Sequence, residues 1–414
     1  SFQIKIPQKL LMVVILTLGA VAFIQIVPKW MSNEIVLPNY EHCILNTITS
    51  ILKYYNVETK HKSLESLDKL LEKKYKNVVF IVLDGMGEHI LNNLSNNGYF
   101  FNKKIDCVTS VYPSTTTAAL TTYYAGKPPY ETGWIAWSQY FKEYGRAIDM
   151  LSHKESYKGE DIIKGASINV FDGVVKYTPI FEQIEKASPN VKAFEINPTY
   201  SDKRAKRSIR ANNLDELIDS IETLCDTSSE NFIFAYSDNP DGLLHKFGAS
   251  SDEAKEFIHE AEHKIAEMCS KMSDDTIVII SADHGHKDIE KAYTLLDYPE
   301  ILECLTMPAS LESRALTFNV KENMRKEFEE RFNKVFRDEF WLMTTEEFLS
   351  KNFLGFGDKH PKIDDFLGNY VALSTAGSII RLETFLAEGK KVKKSTHCGL
   401  TPDEMEVPVI AITK

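Results

Sequence analysis

The sequence has no cysteine pair in a CxxC spacing and no excess of positive charge. Its six cysteines, scattered along 414 residues, are Cys43, Cys107, Cys225, Cys269, Cys304 and Cys398. This distribution indicates neither a disulfide scaffold nor a thiolate zinc site. With 48 basic and 59 acidic residues, the net charge is −11. That charge argues against a protein that binds nucleic-acid polymers through their backbone, and it leaves open a local basic pocket for one phosphate.

The length of 414 residues exceeds what one hydrophobic core normally organises, so we expect a main domain with inserted segments. Residues 10–27 are an uncharged run of 18 residues, just long enough to span a bilayer. We expect residues 1–30 to be a hydrophobic anchor, a cleaved signal segment or an artefact, with a buried hydrophobic helix as a further alternative. Because Lys5 and Lys9 precede the run, an anchor would leave the rest of the chain outside the cytoplasm. Without an anchor, we expect a cytoplasmic protein.

Buried strands that end in acidic residues are the main signal for a site. The apolar run 78–83 is typical of a strand covered on both faces and ends in Asp84, and the run 277–280 is soon followed by Asp283 and His284. In open α/β sheets, ligands bind in the crevice beyond the carboxyl ends of the strands. Asp84 alone could cap the next helix. An acid and an imidazole beyond a second core strand favour a functional site.

A cluster of hydroxyl residues follows another predicted strand, 107–111. One of Ser114, Thr115, Thr116 and Thr117 is expected to cap the helix that follows. A hydroxyl at a helix amino terminus also lies among backbone N–H groups, which suits a nucleophile that attacks phosphorus or sulfur. Because no histidine is near in sequence, a metal ion would have to activate the hydroxyl.

Further candidate ligands follow the strand predicted at 232–236. Asp241 and His245 are four residues apart, so one turn of helix would place both on one face; Asp238 is the alternative if Asp241 faces away. His397 precedes the closing strand, 407–412. Three carboxylates and three imidazoles are a typical ligand set for two divalent metal ions, zinc first. The set comprises Asp84, Asp241, His245, Asp283, His284 and His397.

Five segments, in order, resemble the alkaline phosphatase superfamily and in particular its type I phosphodiesterase/nucleotide pyrophosphatase branch. They are VVFIVLDGMG, VYPSTTTAALTTYYAGKPPYETG, NPDGLLHKFG, SADHGH and THCGLTPDEMEVPVIAI. The resemblance implies an α/β fold, a three-layer α/β/α sandwich with a mostly parallel central sheet and inserted cap segments. The catalytic domain would be 77–414, with insertions at about 150–210 and 293–365 and with the helices of 31–76 packed on it. We expect both insertions to shape the pocket, with a surface subdomain without a role in catalysis as the alternative for the second.

The resemblance also implies a role for each matching residue. Thr116 would be the nucleophile, supported by Ser114, Thr115 and Thr117. The ligands of one metal ion would be Asp84, Thr116, Asp283 and His284. The ligands of the other would be Asp241, His245 and His397. Both ions are expected to be zinc, with manganese as the alternative, and His286 and Cys398 are expected beside the ligands without binding metal.

The implied function is metal-dependent phosphoryl hydrolysis, as in a phosphodiesterase or nucleotide pyrophosphatase, through a phosphothreonine intermediate. We expect a small phosphate ester as substrate, nucleotide-like or lipid-headgroup-like, with membrane contact only through residues 10–27. The chain departs from the family at Trp137, where nucleotide phosphodiesterases place an asparagine. Trp134 and Trp137, with Tyr140 and Phe141, are expected either to stack on the substrate or to pack the lid.

Alternative functions remain at this stage. A phosphomonoesterase or phosphomutase of the same superfamily would keep the metals and the nucleophile, whereas the C/S-x-P-x-R setting of sulfatases is absent. A binding protein without catalysis is a remote alternative, because a dead site usually loses ligands. The segment 259–263 matches the HExxH pattern of zinc proteases, but His259 and His263 fall outside the apolar stripe of their helix and are expected to face solvent.

Overall fold

The structure is a computed structural model that describes residues 33–156, 173–199, 201–381 and 393–414. The apolar run 10–27, and with it the predicted anchor, signal segment or artefact, lies outside these ranges. Within them, no helix is both long enough and apolar enough to cross a bilayer. The six cysteines form no disulfide bonds.

A seven-stranded sheet forms the centre of the fold. In spatial order its strands are β2 (Lys104–Thr109), β18 (Glu406–Ile412), β9 (Thr276–Ser281), β1 (Asn77–Leu83), β8 (Glu230–Ser237), β6 (Val191–Asn197) and β7 (Arg207–Arg210). Strands β9, β1, β8, β6 and β7 pair in parallel, and β18 pairs antiparallel with β9 and β2. Every residue of β1 and β9 is buried, as expected for strands covered on both faces. The predicted mostly parallel sheet is confirmed.

Helices cover this sheet in two layers and complete the predicted α/β/α sandwich. On one face, rings from the helices Thr116–Ala125 and Ile180–Ala187 pack against strand phenylalanines: Tyr123 on Phe80, and Tyr124 and Phe181 on Phe234. The helix Ile44–Tyr54 packs beside Thr116–Ala125. The other layer comprises the helices Glu88–Leu94, Tyr99–Asn102, Leu214–Cys225 and Asp252–Lys271. The part of the chain that the structure describes also contains the α-helices Glu65–Leu70, Pro129–Thr132, Asp241–Phe247, Pro299–Leu302, Arg325–Phe336, Thr345–Ser350, Ile363–Phe366 and Pro402–Met405.

A second seven-stranded sheet is antiparallel and combines two separate parts of the chain. In spatial order its strands are β14 (Phe340–Thr344), β15 (Tyr370–Ser374), β13 (Ala315–Phe318), β12 (Ser310–Leu311), β3 (Ser138–Phe141), β4 (Arg146–Asp149) and β5 (Lys154–Glu155). Phe318 packs there on Phe328 and Phe332 of the helix Arg325–Phe336, which gives this sheet a small core of its own. Two-stranded sheets pair β10 (Lys287–Asp288) with β17 (Ser395–Thr396), and β11 (Lys291–Thr294) with β16 (Ser378–Arg381).

The domain boundaries given above remain predictions. Strands β6 and β7, at the edge of the central sheet, fall inside the segment 150–210 that was predicted as the first insertion. Strands β12, β13 and β14 fall inside the second predicted insertion, 293–365, and pair into the antiparallel sheet. The segment 31–76 supplies the helices Ile44–Tyr54 and Glu65–Leu70.

The HExxH segment lies in the helix Asp252–Lys271. Its apolar stripe is buried as predicted, and His259 and His263 are exposed on the outer side. His259 Nε2 lies 3.1 Å from the Leu94 carbonyl oxygen. Neither histidine belongs to a group of potential metal ligands within the described residues. The segment therefore gives no support to a protease.

Candidate active site and metal centre

The candidate residues converge beyond the carboxyl ends of the central strands. Asp84 follows β1, Asp283 and His284 follow β9, and the helix Asp241–Phe247 begins shortly after β8. Parallel strands end at one edge of a sheet, so neighbours β9, β1 and β8 bring these residues together. The loop before β18 adds His397.

A first cluster surrounds the Thr116 hydroxyl. Thr116 is the first residue of the helix Thr116–Ala125. Its Oγ1 lies 3.4 Å from Asp84 Oδ2 and 3.2 Å from His284 Nε2. Asp283 Oδ2 lies 3.4 Å from the same His284 nitrogen. Asp84, Thr116, Asp283 and His284 therefore lie close together, and their role as ligands of one metal ion stays a prediction.

Two carboxylate oxygens in this cluster fit a cation. Asp84 Oδ1 and Asp283 Oδ2 are buried and have no hydrogen-bond partner, whereas Asp283 Oδ1 accepts from the backbone amides of Gly85 and His284, each at 3.0 Å. An unpaired buried carboxylate oxygen is costly unless a positive charge faces it. Burial, together with Asp283 and Asp241, raises the pKa of Asp84 well above its usual range. The donor set suits a divalent metal ion with a preference for oxygen and imidazole ligands.

A second cluster centres on Asp241 Oδ1. His286 Nε2 lies 2.6 Å from this oxygen, His245 Nε2 3.3 Å and His397 Nε2 3.6 Å. Two ligands of one tetrahedral zinc ion are separated by roughly 3.3 Å, because each lies about 2.0–2.1 Å from the metal. His245 and His397 have separations that suit ligands of the same ion as Asp241. His286, at the shorter separation, belongs with Asp241, His284 and His397 to one group of potential metal ligands among the described residues, whereas His245 belongs to neither group.

Hydrogen bonds to backbone oxygens set the orientation of three imidazoles. Nδ1 of His284, His245 and His397 faces the carbonyl oxygens of Gly285, Ser395 and Ser114, at 3.0, 2.8 and 2.9 Å. A carbonyl oxygen only accepts, so each Nδ1 donates and each Nε2 presents its lone pair to the cluster. Burial lowers the pKa of His245 to about 3 and that of His397 well below its usual value. A neutral imidazole whose Nε2 lone pair faces the cluster has the form that binds a metal ion.

The neighbours of Asp241 control its charge. Burial alone would raise the pKa of Asp241, but the nearby His245, His286 and His397 outweigh burial and hold it well below the usual range. His286 Nδ1 lies 3.0 Å from Ser395 Oγ, which itself reaches the Leu244 carbonyl oxygen at 2.7 Å. His286 thus links Asp241 to strand β17. Gly85 permits this arrangement, since its φ is +76° and an added Cβ would lie 3.0 Å from His286 Cδ2.

The remaining predicted site residues lie outside the two clusters. Asp238 Oδ1 accepts from Asn239 Nδ2 at 3.4 Å and belongs to neither group of potential ligands. Cys398 is buried, with its sulfur 3.2 Å from His397 Nδ1. Trp134 is fully buried, and its indole N–H donates to the Val175 carbonyl oxygen at 2.8 Å. The buried ring favours the packing alternative for Trp134, and its contact with substrate stays a prediction. Trp137 is 41% exposed.

Sequence reasoning missed Glu312. Its Oε1 accepts from the Thr115 hydroxyl at 2.9 Å and from the Trp137 backbone amide at 2.6 Å. Thr115, one of the residues predicted to cap the helix or support the nucleophile, makes no capping hydrogen bond through its side chain. Glu312 lies in the hairpin between β12 and β13, inside the second predicted insertion, so this segment contacts the candidate site. No local pattern around Glu312 signals the contact, because it depends on how the two sheets pack.

Comparisons with known proteins find a matching family model and several similar folds. The family model described as type I phosphodiesterase / nucleotide pyrophosphatase matches residues 78–352, more than half of the chain. No curated protein matches by sequence. Murine ectonucleotide pyrophosphatase/phosphodiesterase 5 has a similar structure, with a TM-score of 0.58 and 16% identity over 80% of this chain and 87% of that chain. An inactive variant of the same murine protein, in complex with AMP, gives a TM-score of 0.59 and 16% identity, covering 81% and 87%. Phosphonoacetate hydrolase from Sinorhizobium meliloti 1021, with phosphonoformate, gives 0.59 and 16% identity, covering 80% and 89%.

Proposed function

Because the chain belongs to the type I phosphodiesterase / nucleotide pyrophosphatase family and is a metal-dependent phosphoric ester hydrolase, we propose that Thr116 is its nucleophile. The proposed reaction is hydrolysis of a small phosphodiester or pyrophosphate through a phosphothreonine intermediate. The proposed cofactors are two divalent metal ions, zinc first and manganese as the alternative.

The observation that carries this proposal is the position of the Thr116 hydroxyl. It lies at a helix amino terminus, within 3.4 Å of Asp84 and 3.2 Å of His284, beside two buried carboxylate oxygens that lack partners. The hydroxyl hydrogen of Thr116 can point to Asp84 or to His284. A lone pair of Thr116 Oγ1 can then face the phosphorus atom of the substrate. The first-turn amides of the helix Thr116–Ala125 offer N–H groups to a phosphoryl oxygen at the same end.

The two clusters divide the proposed ligands into two sets. Asp84, Thr116, Asp283 and His284 would hold one ion. Asp241, His245 and His397 would hold the other, with His286 bonded to Asp241. When bound, the ions would supply Lewis-acid stabilisation of the charge that develops on the phosphoryl oxygens.

The chain's own groups account for the rest of the reaction. The Thr116 hydroxyl proton passes to Asp84 Oδ2, 3.4 Å away, and Thr116 Oγ1 forms an O–P bond. The bond from phosphorus to the leaving oxygen breaks on the opposite side, and the leaving oxygen takes up a proton from solvent. A water molecule then attacks the phosphothreonine, and Thr116 Oγ1 leaves as the hydroxyl is restored. Burial of Asp84, Asp283 and His284 keeps bulk water away from the nucleophile. Attack by the positioned hydroxyl is therefore favoured over side reactions with solvent.

The substrate class rests on similarity and on Trp137. AMP and phosphonoformate are the ligands named for the murine and Sinorhizobium structures, and both carry a phosphorus oxyanion. We propose a nucleotide-like or headgroup-like phosphate ester as the substrate of this chain. The exposed Trp137 ring would contact its organic part. Catalysis outside the cytoplasm is proposed only if residues 10–27 anchor the chain.

The test compares a diester with a monoester. The full chain is stripped with EDTA, reloaded with zinc or manganese, and supplied with bis-p-nitrophenyl phosphate or p-nitrophenyl phosphate at equal concentration. We expect metal-dependent release of p-nitrophenol with preference for the diester. Preference for the monoester would favour the phosphatase or phosphomutase branch, and inactivity of the metal-loaded protein toward both would contradict the proposal.

A further inference from the structure

Lys393 contacts the second cluster in a way that the ligand assignment does not use. Its Nζ lies 3.2 Å from His245 Nε2, the nitrogen assigned to a metal ion. A backbone hydrogen bond fixes the chain next to Lys393, because the amide of Lys394 donates to the His245 carbonyl oxygen at 2.8 Å. Lys393 itself is exposed, on a flexible stem of four methylene groups. A positive charge of the chain therefore lies at the edge of the metal centre.

The lone pair of His245 Nε2 cannot serve both partners at once. Since His245 Nδ1 donates to the Ser395 carbonyl oxygen, Nε2 accepts, and the Lys393 ammonium group is the donor that faces it. A divalent ion on the same nitrogen would take that lone pair. The Lys393 ammonium group would then lose this contact, while the backbone of the neighbouring Lys394 would stay bonded to His245.

Other cations near the site already have partners. The Arg314 guanidinium is fully buried and binds Glu404 through two hydrogen bonds of 2.6 and 2.7 Å. Lys287, next to His286, pairs with Asp403 at 3.0 Å. Among the described residues of this neighbourhood, Lys393 is therefore the cation whose contact would be released when metal binds.

The charges of the site give the released ammonium group a role. The four positive charges of two divalent ions would exceed the negative charges of Asp84, Asp241 and Asp283 by one. The carboxylate of the nearby Glu312 would cancel this excess. Burial raises the pKa of Glu312, and Lys393 is among the groups that oppose this rise, so its charge acts on the nucleophile side as well. Lys393 restores the single positive charge that complements an anionic phosphoryl group.

We propose that Lys393 is an anion-binding residue of this site, whose ammonium group binds the phosphate oxygens of the substrate once a metal ion occupies the His245 nitrogen. The inference rests on the proposed function and adds a specificity-determining residue to it. It predicts a preference for ligands with exposed phosphate oxygens. It also predicts that Lys393 competes with metal for His245.

The first experiment measures binding without turnover. Inorganic phosphate is titrated calorimetrically into the zinc-loaded full chain, the Lys393→Ala variant and the matched Lys394→Ala variant. Loss of a charge-assisted hydrogen bond should weaken phosphate binding by about tenfold in Lys393→Ala and leave Lys394→Ala unchanged. Zinc titrated into the metal-free proteins should bind roughly threefold tighter, or more, in Lys393→Ala, because a competing cation is gone.

Each outcome bears on the proposal. Unchanged phosphate affinity in Lys393→Ala, an equal loss in Lys394→Ala, loss of zinc from Lys393→Ala, or no phosphate binding by the zinc-loaded wild type would overturn it. With bis-p-nitrophenyl phosphate, Lys393→Ala should raise KM more than it lowers kcat. A wild type that binds phosphate through Lys393 but hydrolyses neither nitrophenyl ester would refute the proposed function and leave this inference standing.

Discussion

The Thr115 hydroxyl donates a hydrogen bond of 2.9 Å to Glu312 Oε1, so a carboxylate from the antiparallel sheet holds the residue next to the candidate nucleophile. The same oxygen accepts from the Trp137 amide at 2.6 Å. Glu312 thus ties together the start of the helix Thr116–Ala125 and the loop that carries the exposed tryptophan. The contact makes the second sheet part of the site's support.

The Glu312→Ala variant is expected to lower kcat by about tenfold, because Thr115 and the Trp137 loop lose a shared acceptor and Thr116 is held less firmly. Glu312→Gln keeps an acceptor oxygen at the same place and should retain most of the activity. Metal content should stay the same in both. If Glu312→Ala has the wild-type kcat with bis-p-nitrophenyl phosphate, Glu312 does not position the nucleophile.

The Thr116→Ala variant is expected to lower turnover by at least about 10³-fold while both metal ions remain bound, because it removes the attacking oxygen and only one of four ligands. Thr116→Ser keeps a hydroxyl at the helix start and should recover measurable activity. Elemental analysis and steady-state kinetics on the same preparations separate the two effects. A Thr116→Ala variant with full activity would refute the nucleophile assignment.

Metal binding provides a test of the second cluster. Asp241→Asn should lower the bound metal from two ions per chain toward one, because Asp241 Oδ1 lies between His245 and His397. Asp238→Asn is the matched control and should retain both ions. The double variant His259→Gln, His263→Gln should also retain both, since these histidines are exposed and belong to no group of potential metal ligands among the described residues. Metal loss from either control, measured after dialysis against a weak chelator, would require a new ligand set.

The sequence was most informative where a candidate site residue comes directly after a predicted strand. Asp84 and Asp283 could be identified because each lies at the carboxyl end of a buried apolar run, and neighbouring parallel strands bring such ends together. The spacing of Asp241 and His245 was likewise local, since one helical turn fixes it. These residues needed no knowledge of distant packing.

Other features depended on packing between distant segments and were not readable in advance. Glu312 approaches Thr115 only because two sheets from different parts of the chain meet. Trp134 and Trp137 are three residues apart in one aromatic cluster, yet the first packs in the core and the second faces solvent. The 2.6 Å contact between His286 and Asp241 depends on the path of the Gly85 turn. Local patterns carry no signal for such contacts.

One edge of the fold contains a half-buried histidine between two carboxylates. His89 Nδ1 lies 3.1 Å from Asp403 Oδ1, and its Nε2 lies 2.9 Å from Glu406 Oε2. Hydrogen bonds to Asp403 and Glu406 raise the pKa of His89 to about 10. The bond to His89 is in turn the main reason that the pKa of Asp403 falls to about 2. The group connects the helix Glu88–Leu94 to the helix Pro402–Met405 and to the first residue of β18.

The His89→Gln variant is expected to lose stability in a pH-dependent way. Because the folded pKa of His89 lies above the unfolded value of about 6.5, its contribution is complete below pH 6.5 and declines as the pH rises toward 10. The depressed pKa of Asp403 removes the contribution at the acid end, as the pH falls from about 4 toward 2. The free energy of unfolding should therefore differ between wild type and variant by about 1 kcal/mol near pH 6, a value that allows for solvent screening, and by less at pH 10. Urea unfolding of the metal-free proteins at both pH values measures this difference, and an equal difference at pH 6 and pH 10 would show that His89 stabilises the fold by packing and not by charge.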